Sequence, residues 1–287
     1  MTPFERAARA LIASRAAEGT RTGYTADLAA WLAFCEAEGH DPTDPPPAGP
    51  PAFRDGLLKR YAPQTVRRTL AALSKMYRAA QAQRAAPRNP FDGDALPRPP
   101  ADAYAATEAV DPAVAQRVIS ATQADESRAG LRDLAVLRLL YDTGMRRASV
   151  AGLRRADVIL REGRTVVIFH AKGNKRREAT LPEEAAAAVQ HWLGFAADSP
   201  WVFPQDRDFT KHIDLSTVNR IVTHRTGGQV HPHQFRAAFI TEALDELPLH
   251  EVQAAVGHAD PRMTLRYDRR QRGAGVADIV AKSRKGG

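Results

Sequence analysis

Apolar residues recur along this chain at three- and four-residue steps over most of its length. Tyr24, Leu28, Leu32 and Cys35, with Trp31 alongside, fall on one stripe and predict an amphipathic helix. Thr20 reads as its N-cap and Gly39 as its stop. Val66, Leu70, Leu73 and Tyr77 repeat the stripe in a helix that starts at Pro63, and everything before residue 87 reads as helical. The opposite face of that later helix carries Arg67, Arg68, Lys75 and Arg78. Two readings of this face stand side by side: a solvated helix surface, or a surface that meets phosphates.

Beyond residue 108 the spacing changes. Residues 112–122 and 128–141 are helical in pattern, but residues 165–170 (TVVIFH) are β-branched and apolar. Residues 177–181 follow the polar turn Lys172-Gly173-Asn174-Lys175, so the pair reads as a hairpin, with 158–160 as a third strand before the Glu162-Gly163 turn. Helical patterns return at 182–197, 215–226, 232–246, 250–256 and 261–267. A short stripe of Val276, Ile279 and Val280 lies in a basic tail. Proline punctuates the chain at residues 41–51 and 87–100, and the second stretch separates segments of different character. The fold class is therefore mainly α with a small antiparallel β-sheet. The expected organisation is a helical domain over residues 1–88, a linker over 89–108 and an α+β domain over 109–287.

Composition narrows the class. The 287 residues suit about two domains of ordinary size. With 44% hydrophobic and 26% charged residues the chain is globular in balance. One cysteine, Cys35, excludes an internal disulfide framework and a cysteine-based zinc cluster. No apolar run approaches the ~20 residues that span a bilayer, and residues 1–15 lack a signal-peptide core. A soluble, cytoplasmic protein with no membrane partner is expected. Its net charge of +8 points toward a polyanion, and its 34 Arg against seven Lys make each lysine conspicuous.

Chemistry gathers in short segments: Thr143-Gly144-Met145-Arg146, Lys172-Gly173-Asn174-Lys175, His233-Gln234-Phe235-Arg236, and Val256-Gly257-His258 followed by Tyr267. Each alone has an ordinary structural reading, such as an arginine at a helix end or a tyrosine in a core. Their order and spacing together resemble the tyrosine recombinase family, the phage-integrase and Xer-type site-specific recombinases. That family carries an Arg in a T-G-x-R turn, a Lys in a β-hairpin, H-x-x-R, G-H, and a nucleophilic Tyr shortly beyond. Arg146, Lys172, His233, Arg236, His258 and Tyr267 match those positions. The resemblance extends over nearly the whole chain. It implies a helical core-binding (SAM-like) domain followed by the family's catalytic domain.

The residue types suit phosphoryl transfer. A DNA phosphodiester is anionic, and its transition state loads charge onto the non-bridging oxygens. Arginine offers planar paired donors to such oxygens and keeps its charge. Two arginines and a histidine can supply electrostatic stabilisation, and a tyrosine hydroxyl can form a covalent phosphotyrosine. The resemblance implies that His233 takes the phenol proton and that Lys172 gives one to the departing 5′-oxygen. No carboxylate pair accompanies these residues and no GxxxxGK[ST] loop is present, so neither a metal nor ATP, and no other cofactor, is expected. A metal reading of His231-Pro232-His233 with His224 lacks a carboxylate or cysteine partner. The chain departs from the family where Ser149 replaces an acidic residue, Ala237 a histidine and Val256 a leucine. Ser149 and Ala237 would sit behind the catalytic groups, so their substitution bears on rate.

The resemblance further implies a C-shaped clamp on double-stranded DNA. The basic excess divides evenly, +4 over residues 1–100 and +4 over 101–287. Arg67, Arg68 and Lys75, and then Arg147, Lys175, Arg220 and Arg225, become candidate DNA contacts. The tail is either a basic end or a short helix that docks on a neighbouring protomer. The latter would give a homotetramer, or a heterotetramer with a related recombinase, on two DNA sites, in the cytoplasm at the nucleoid. Relaxation of topoisomerase IB type by the same site, and a DNA-binding accessory protein without chemistry, are the alternatives.

Overall fold

The structure is a computed structural model that describes residues 1–16, 18–93, 96–100, 108–171, 175–196, 198–258 and 260–268. Contacts divide the chain into two compact units, Met1–Ala103 and Tyr104–Gly287.

In the first unit, proline repeatedly marks where helices begin, because the first turn leaves its N–H groups unpaired in any case. Helix α1 (Pro3–Ala13) is capped by Thr2, whose side chain accepts from the Glu5 N–H. Helix α2 spans Glu18–Ala37, so Thr20 lies inside it rather than capping it, while Gly39 just beyond adopts φ +67°. Helix α3 (Gly49–Leu58) takes Pro50 and Pro51 into its first turn, so the proline-rich stretch runs straight into a helix. Helix α4 runs Pro63–Ala82 and buries the expected stripe of Val66, Leu70, Leu73 and Tyr77. The Trp31 indole N–H donates to the Tyr77 hydroxyl at 2.9 Å, which in turn donates to the Pro42 carbonyl. Phe91 and Leu96 are buried in the same core, and the Asn89 amide donates to the Ser74 hydroxyl at 2.9 Å. Each fully buried ring or aliphatic chain of this kind contributes about 1.5–3 kcal/mol, which fastens these residues to the helical unit.

The second unit is built around α6 (Arg128–Thr143), which packs against α5 (Pro112–Gln123), α8 (Glu183–Phe195) and α10 (Pro232–Glu246). Asp111 and Ser127 cap α5 and α6 through their side chains. The short helix α7 (Arg147–Ala151) follows α6, and a 3-10 turn over Arg155–Asp157 leads into the sheet. Strands β1 (Val158–Arg161), β2 (Arg164–Ala171) and β3 (Lys175–Thr180) form an antiparallel sheet in that order, with Ile159 opposite Val166 and Phe169 opposite Arg177. Glu162 and Gly163 both take positive φ, as a tight two-residue hairpin turn requires. Helices α9 (Leu215–Arg225), α11 (Leu249–Val256) and α12 (Pro261–Leu265) are the unit's remaining helices among the described residues. Helix α12 ends before Tyr267, which sits in the turn that follows, its N–H donating to the Thr264 carbonyl at 3.0 Å.

Candidate active site

The first arginine is placed by how α6 stops. Gly144 ends that helix in the left-handed region at φ +60°, and a Cβ there would collide with the Phe239 ring. The chain reverses, buries Met145, and presents Arg146 in extended conformation at the start of α7. Buried Ser149 donates its hydroxyl to the His170 carbonyl at 2.9 Å, which ties α7 to strand β2. Ser149 thus fills its departure from the family pattern with a backbone anchor.

Helix α10 supplies the next pair. His231 lies just before it, with its N–H donating to the Gln234 side chain at 2.9 Å, and Pro232 opens the helix. In the first turn of the helix His233 follows Pro232, and it shares a face with Arg236 three residues on. Arg236 is only 3% exposed. It donates through Nη1 to the Gly144 carbonyl, and through Nη2 to the Val256 carbonyl at 2.8 Å and to His258 Nε2 at 3.2 Å. Its Nε is buried and has no hydrogen-bond partner among the described residues.

Guanidinium only donates, so His258 Nε2 must be the acceptor. Its Nδ1 therefore carries the proton and donates to Thr264 Oγ1, 2.9 Å away. Gly257, at φ +67°, ends α11 and turns the chain so that His258 reaches Arg236. The Tyr267 ring stacks beside His258, centroids 6.3 Å apart, and is buried against Ala237, Ile240, Leu244, Val252 and Val256.

Electrostatics join these groups. Burial, then the nearby Arg146 charge, lowers the Arg236 pKa to about 10, while the Tyr267 phenolate would raise it. Arg146 is lowered by burial first and by Arg177 last, with Tyr267 again opposing. Although the His233 ring reaches solvent, partial burial depresses its pKa first, and the charges of Arg236, Arg146 and Arg147 add to this. His258 is pushed down to about 4 by burial, then by Arg236, Arg146 and His233. Both histidines are therefore neutral at pH 7. A cavity of about 510 Å³ opens over this cluster, walled by Met145, Arg146, Arg147, Asn219, His233 and Arg236 among others. Neither Arg146 nor Arg236 makes an ion pair among the described residues. Buried charges are ordinarily paired, so buried Arg236 and half-buried Arg146, both without a carboxylate among the described residues, make one cavity a site prepared for an anion.

The pH dependence follows with its sign. His258 binds protons less well folded (pKa about 4) than unfolded, where a histidine titrates near its ordinary value. Its neutral form contributes stability fully above about pH 6.5, and that contribution is lost as pH falls toward 4. The His258 ring proton in an NMR titration should stay unshifted from pH 8 to 5. The thermal midpoint of wild type should fall more steeply below pH 6 than that of His258→Asn.

Five of the six expected catalytic positions thus lie together, and Lys172 lies outside the described residues. The candidate DNA contacts sort differently. Arg147 is exposed and donates to Asn219 at 2.9 Å, and Arg220 is exposed beside Thr217. Arg67 donates to the Pro99 carbonyl at 2.8 Å, and exposed Lys75 to the Tyr24 hydroxyl at 3.4 Å. Arg68 is held by buried Asp27 at 2.7 Å, and Arg225 by Asp125 and Asp133, both at 2.8 Å. These two guanidiniums are engaged within the protein. Strand β3 begins at Lys175, whose side chain lies outside the described residues, as do Val276, Ile279 and Val280 of the tail. Sequence reasoning missed Thr264, which is fully buried and fixes the His258 tautomer, and also Asn219 and Arg177. A threonine six residues past a histidine carries no spacing signal.

Residues 108–273 match the family model described as "Phage integrase family". The chain belongs to the phage integrase family, the tyrosine recombinases. Over most of its length it is similar to Xer recombinases. It is 30% identical to the tyrosine recombinase XerC of Pelobacter propionicus, over 86% of this chain and 83% of that one. It is 28% identical to XerC of Azotobacter vinelandii, over 86% and 84% respectively. Its fold is similar to that of a lambda integrase (75–356) chain, in a structure of its dimer bound to a core site, with TM-score 0.69, 14% identity and coverage of 94% and 95%. No helix among the described residues is long and apolar enough to cross a membrane.

Proposed function

We propose that the chain is a site-specific DNA recombinase that cuts and rejoins strands through a 3′-phosphotyrosine at Tyr267. The observation that carries this reading is two arginines at one cavity, Arg236 buried and Arg146 half-buried, neither ion-paired among the described residues, with His233, His258 and Tyr267 beside them. Arg146 and Arg236 hold the non-bridging oxygens of the scissile phosphate and offset the charge that grows there. The Tyr267 oxygen attacks phosphorus and its proton passes to neutral His233. The bond to the 5′-oxygen breaks, and that oxygen takes a proton from Lys172. The phosphotyrosine preserves the energy of the broken ester, so the reverse sequence reseals a strand without ATP.

His258 does not need to titrate in this scheme. Its neutral ring accepts from Arg236 and keeps that guanidinium turned toward the cavity. Arg67, Lys75, Arg147 and Arg220 are the proposed phosphate contacts, and Arg68 and Arg225 are engaged by carboxylates. Xer recombinase XerH and lambda integrase are described in solved structures as bound to DNA substrates. Double-stranded DNA is the proposed partner here, with a tetramer across two sites as the working assembly.

The test is covalent trapping. Incubate the protein in EDTA with nicked half-site duplexes from a randomised-sequence library, then denature and resolve the products. A protein–DNA adduct linked through a 3′-phosphate is expected. Selection of the trapped sequences gives the site for a two-site recombination assay. No adduct from the whole library would overturn the reading. Relaxation of supercoiled DNA without two-site exchange would favour the topoisomerase-like alternative.

A further inference from the structure

Arg177 stands on β3, two residues into the strand, and its side chain leaves the sheet toward helix α11. Its Nη1 donates to the Ala254 carbonyl in the last turn of α11. A helix leaves its final carbonyls unpaired and carries partial negative charge there, so a guanidinium is a fitting cap. The same guanidinium lies flat against Gly257: a Cβ built on that glycine would sit 3.2 Å from Arg177 Nε and 3.3 Å from Nη2. Gly257 is therefore constrained twice, by its left-handed φ of +67° and by the arginine packed on it. The next residue is His258, which accepts from Arg236.

Arg177 also acts electrostatically on the other arginine of the site. Its charge is among the causes that disfavour the protonated form of Arg146. One side chain thus fixes the turn that carries His258 and adds positive potential beside Arg146. No ion pair occupies it among the described residues; Glu178, the neighbouring carboxylate on β3, is taken by Arg161 at 3.0 Å. A groove of about 390 Å³ separates the sheet from α11, lined by Ile168, Arg176, Arg177, Glu178, Ala254 and Ala255. Arg177 is the connection across it that carries charge to the site.

We propose that Arg177 is a positioning residue for strand cleavage: it locks the Gly257–His258 turn to the sheet and so holds Arg236 aligned on the scissile phosphate. The inference rests on the covalent mechanism proposed above. It assigns a role to a side chain that touches no reacting atom and acts through His258 and the field at Arg146.

Single-turnover adduct formation on the trapped duplex, at a range of DNA concentrations, tests this with Arg177→Ala, Arg177→Lys and Arg161→Ala. Arg177→Ala is expected to cleave roughly 10- to 100-fold more slowly at saturating DNA, the loss associated with removing a group that orients an active-site residue. Half-saturation should stay within about twofold of wild type, because no phosphate contact is removed. Arg177→Lys retains the charge and one donor for Ala254, and should recover at least half of the loss on a logarithmic scale. Arg161→Ala, which removes a cation of the same sheet that pairs with Glu178 rather than with an α11 carbonyl, should cleave like wild type. A general folding defect would lower thermal midpoints of Ala and Lys variants alike and would not be rescued by lysine. Wild-type rates in Arg177→Ala, a loss confined to DNA affinity, or no recovery in Arg177→Lys overturns this role and leaves the covalent mechanism standing. No adduct from wild type overturns both.

Discussion

Tyr267→Phe is expected to abolish the covalent protein–DNA adduct while leaving both fold and DNA affinity in place. The ring is 8% exposed and packs among Ala237, Ile240, Leu244, Val252 and Val256, so phenylalanine fills the same space. The substitution removes one hydroxyl. Its loss changes stability by about 1 kcal/mol at most, the net worth of an ordinary hydrogen bond. In the proposed mechanism its loss from chemistry is total, because there the phenol oxygen forms the bond to phosphorus. Deleting a covalent nucleophile costs on the order of 10⁶ in rate, which places the variant below detection on a denaturing gel. DNA affinity by anisotropy should hold within about twofold, since phosphates are gripped by arginines. An adduct that persists in Tyr267→Phe would mean that another hydroxyl attacks.

The contrast between what the sequence made legible and what it did not has a physical basis. Helices with a long apolar stripe, such as α4 and α6, announce themselves because burial on one face imposes a period. The hairpin of β2 and β3 announces itself because a β-branched apolar run and turn chemistry coincide. Short elements carry no full period, and α7, with five residues, went unread. Prolines mislead at residues 50 and 51, since the same residue that breaks a helix interior opens a helix start. Five candidate positions that the structure brings together were readable through their order and spacing in short motifs. Their supporting contacts were not. Thr264 on His258, Ser149 on the His170 carbonyl and Arg177 on Gly257 are meetings of distant segments that no local pattern encodes. Charge misled in the opposite direction. Arg68 and Arg225 look like free cations in the sequence, and only three-dimensional pairing brings Asp27 and Asp133 to them.

Arg236→Ala is expected to lower cleavage by about 10³ or more, the upper range for removing one donor to a charged transition state, and Arg236→Lys to recover little of it. Lysine brings one point charge on a flexible stem, whereas the site holds a planar fork between three fixed acceptors: the Gly144 carbonyl, the Val256 carbonyl and His258 Nε2. Stability is pulled two ways. Removing the guanidinium abolishes the cost of burying a cation, a cost visible in its pKa of about 10. It also strands the three acceptors, each at about 1–3 kcal/mol, so the alanine variant should be the less stable protein. The depressed pKa fixes the sign of the linkage. Folding disfavours the protonated form, so the penalty is complete below pH 10 and is relieved only as pH rises toward the ordinary arginine value. At pH 7 the protein carries it in full. A phosphate in the cavity offsets that penalty by pairing the charge, so DNA should stabilise a chain that has Arg236 more than one that lacks it. The comparison is made in a Tyr267→Phe background, where no covalent bond forms. Adding the trapped duplex should raise the thermal midpoint of Tyr267→Phe clearly more than that of Tyr267→Phe with Arg236→Ala. Equal shifts in the two proteins would mean that Arg236 does not meet the phosphate, and that its burial serves the fold alone.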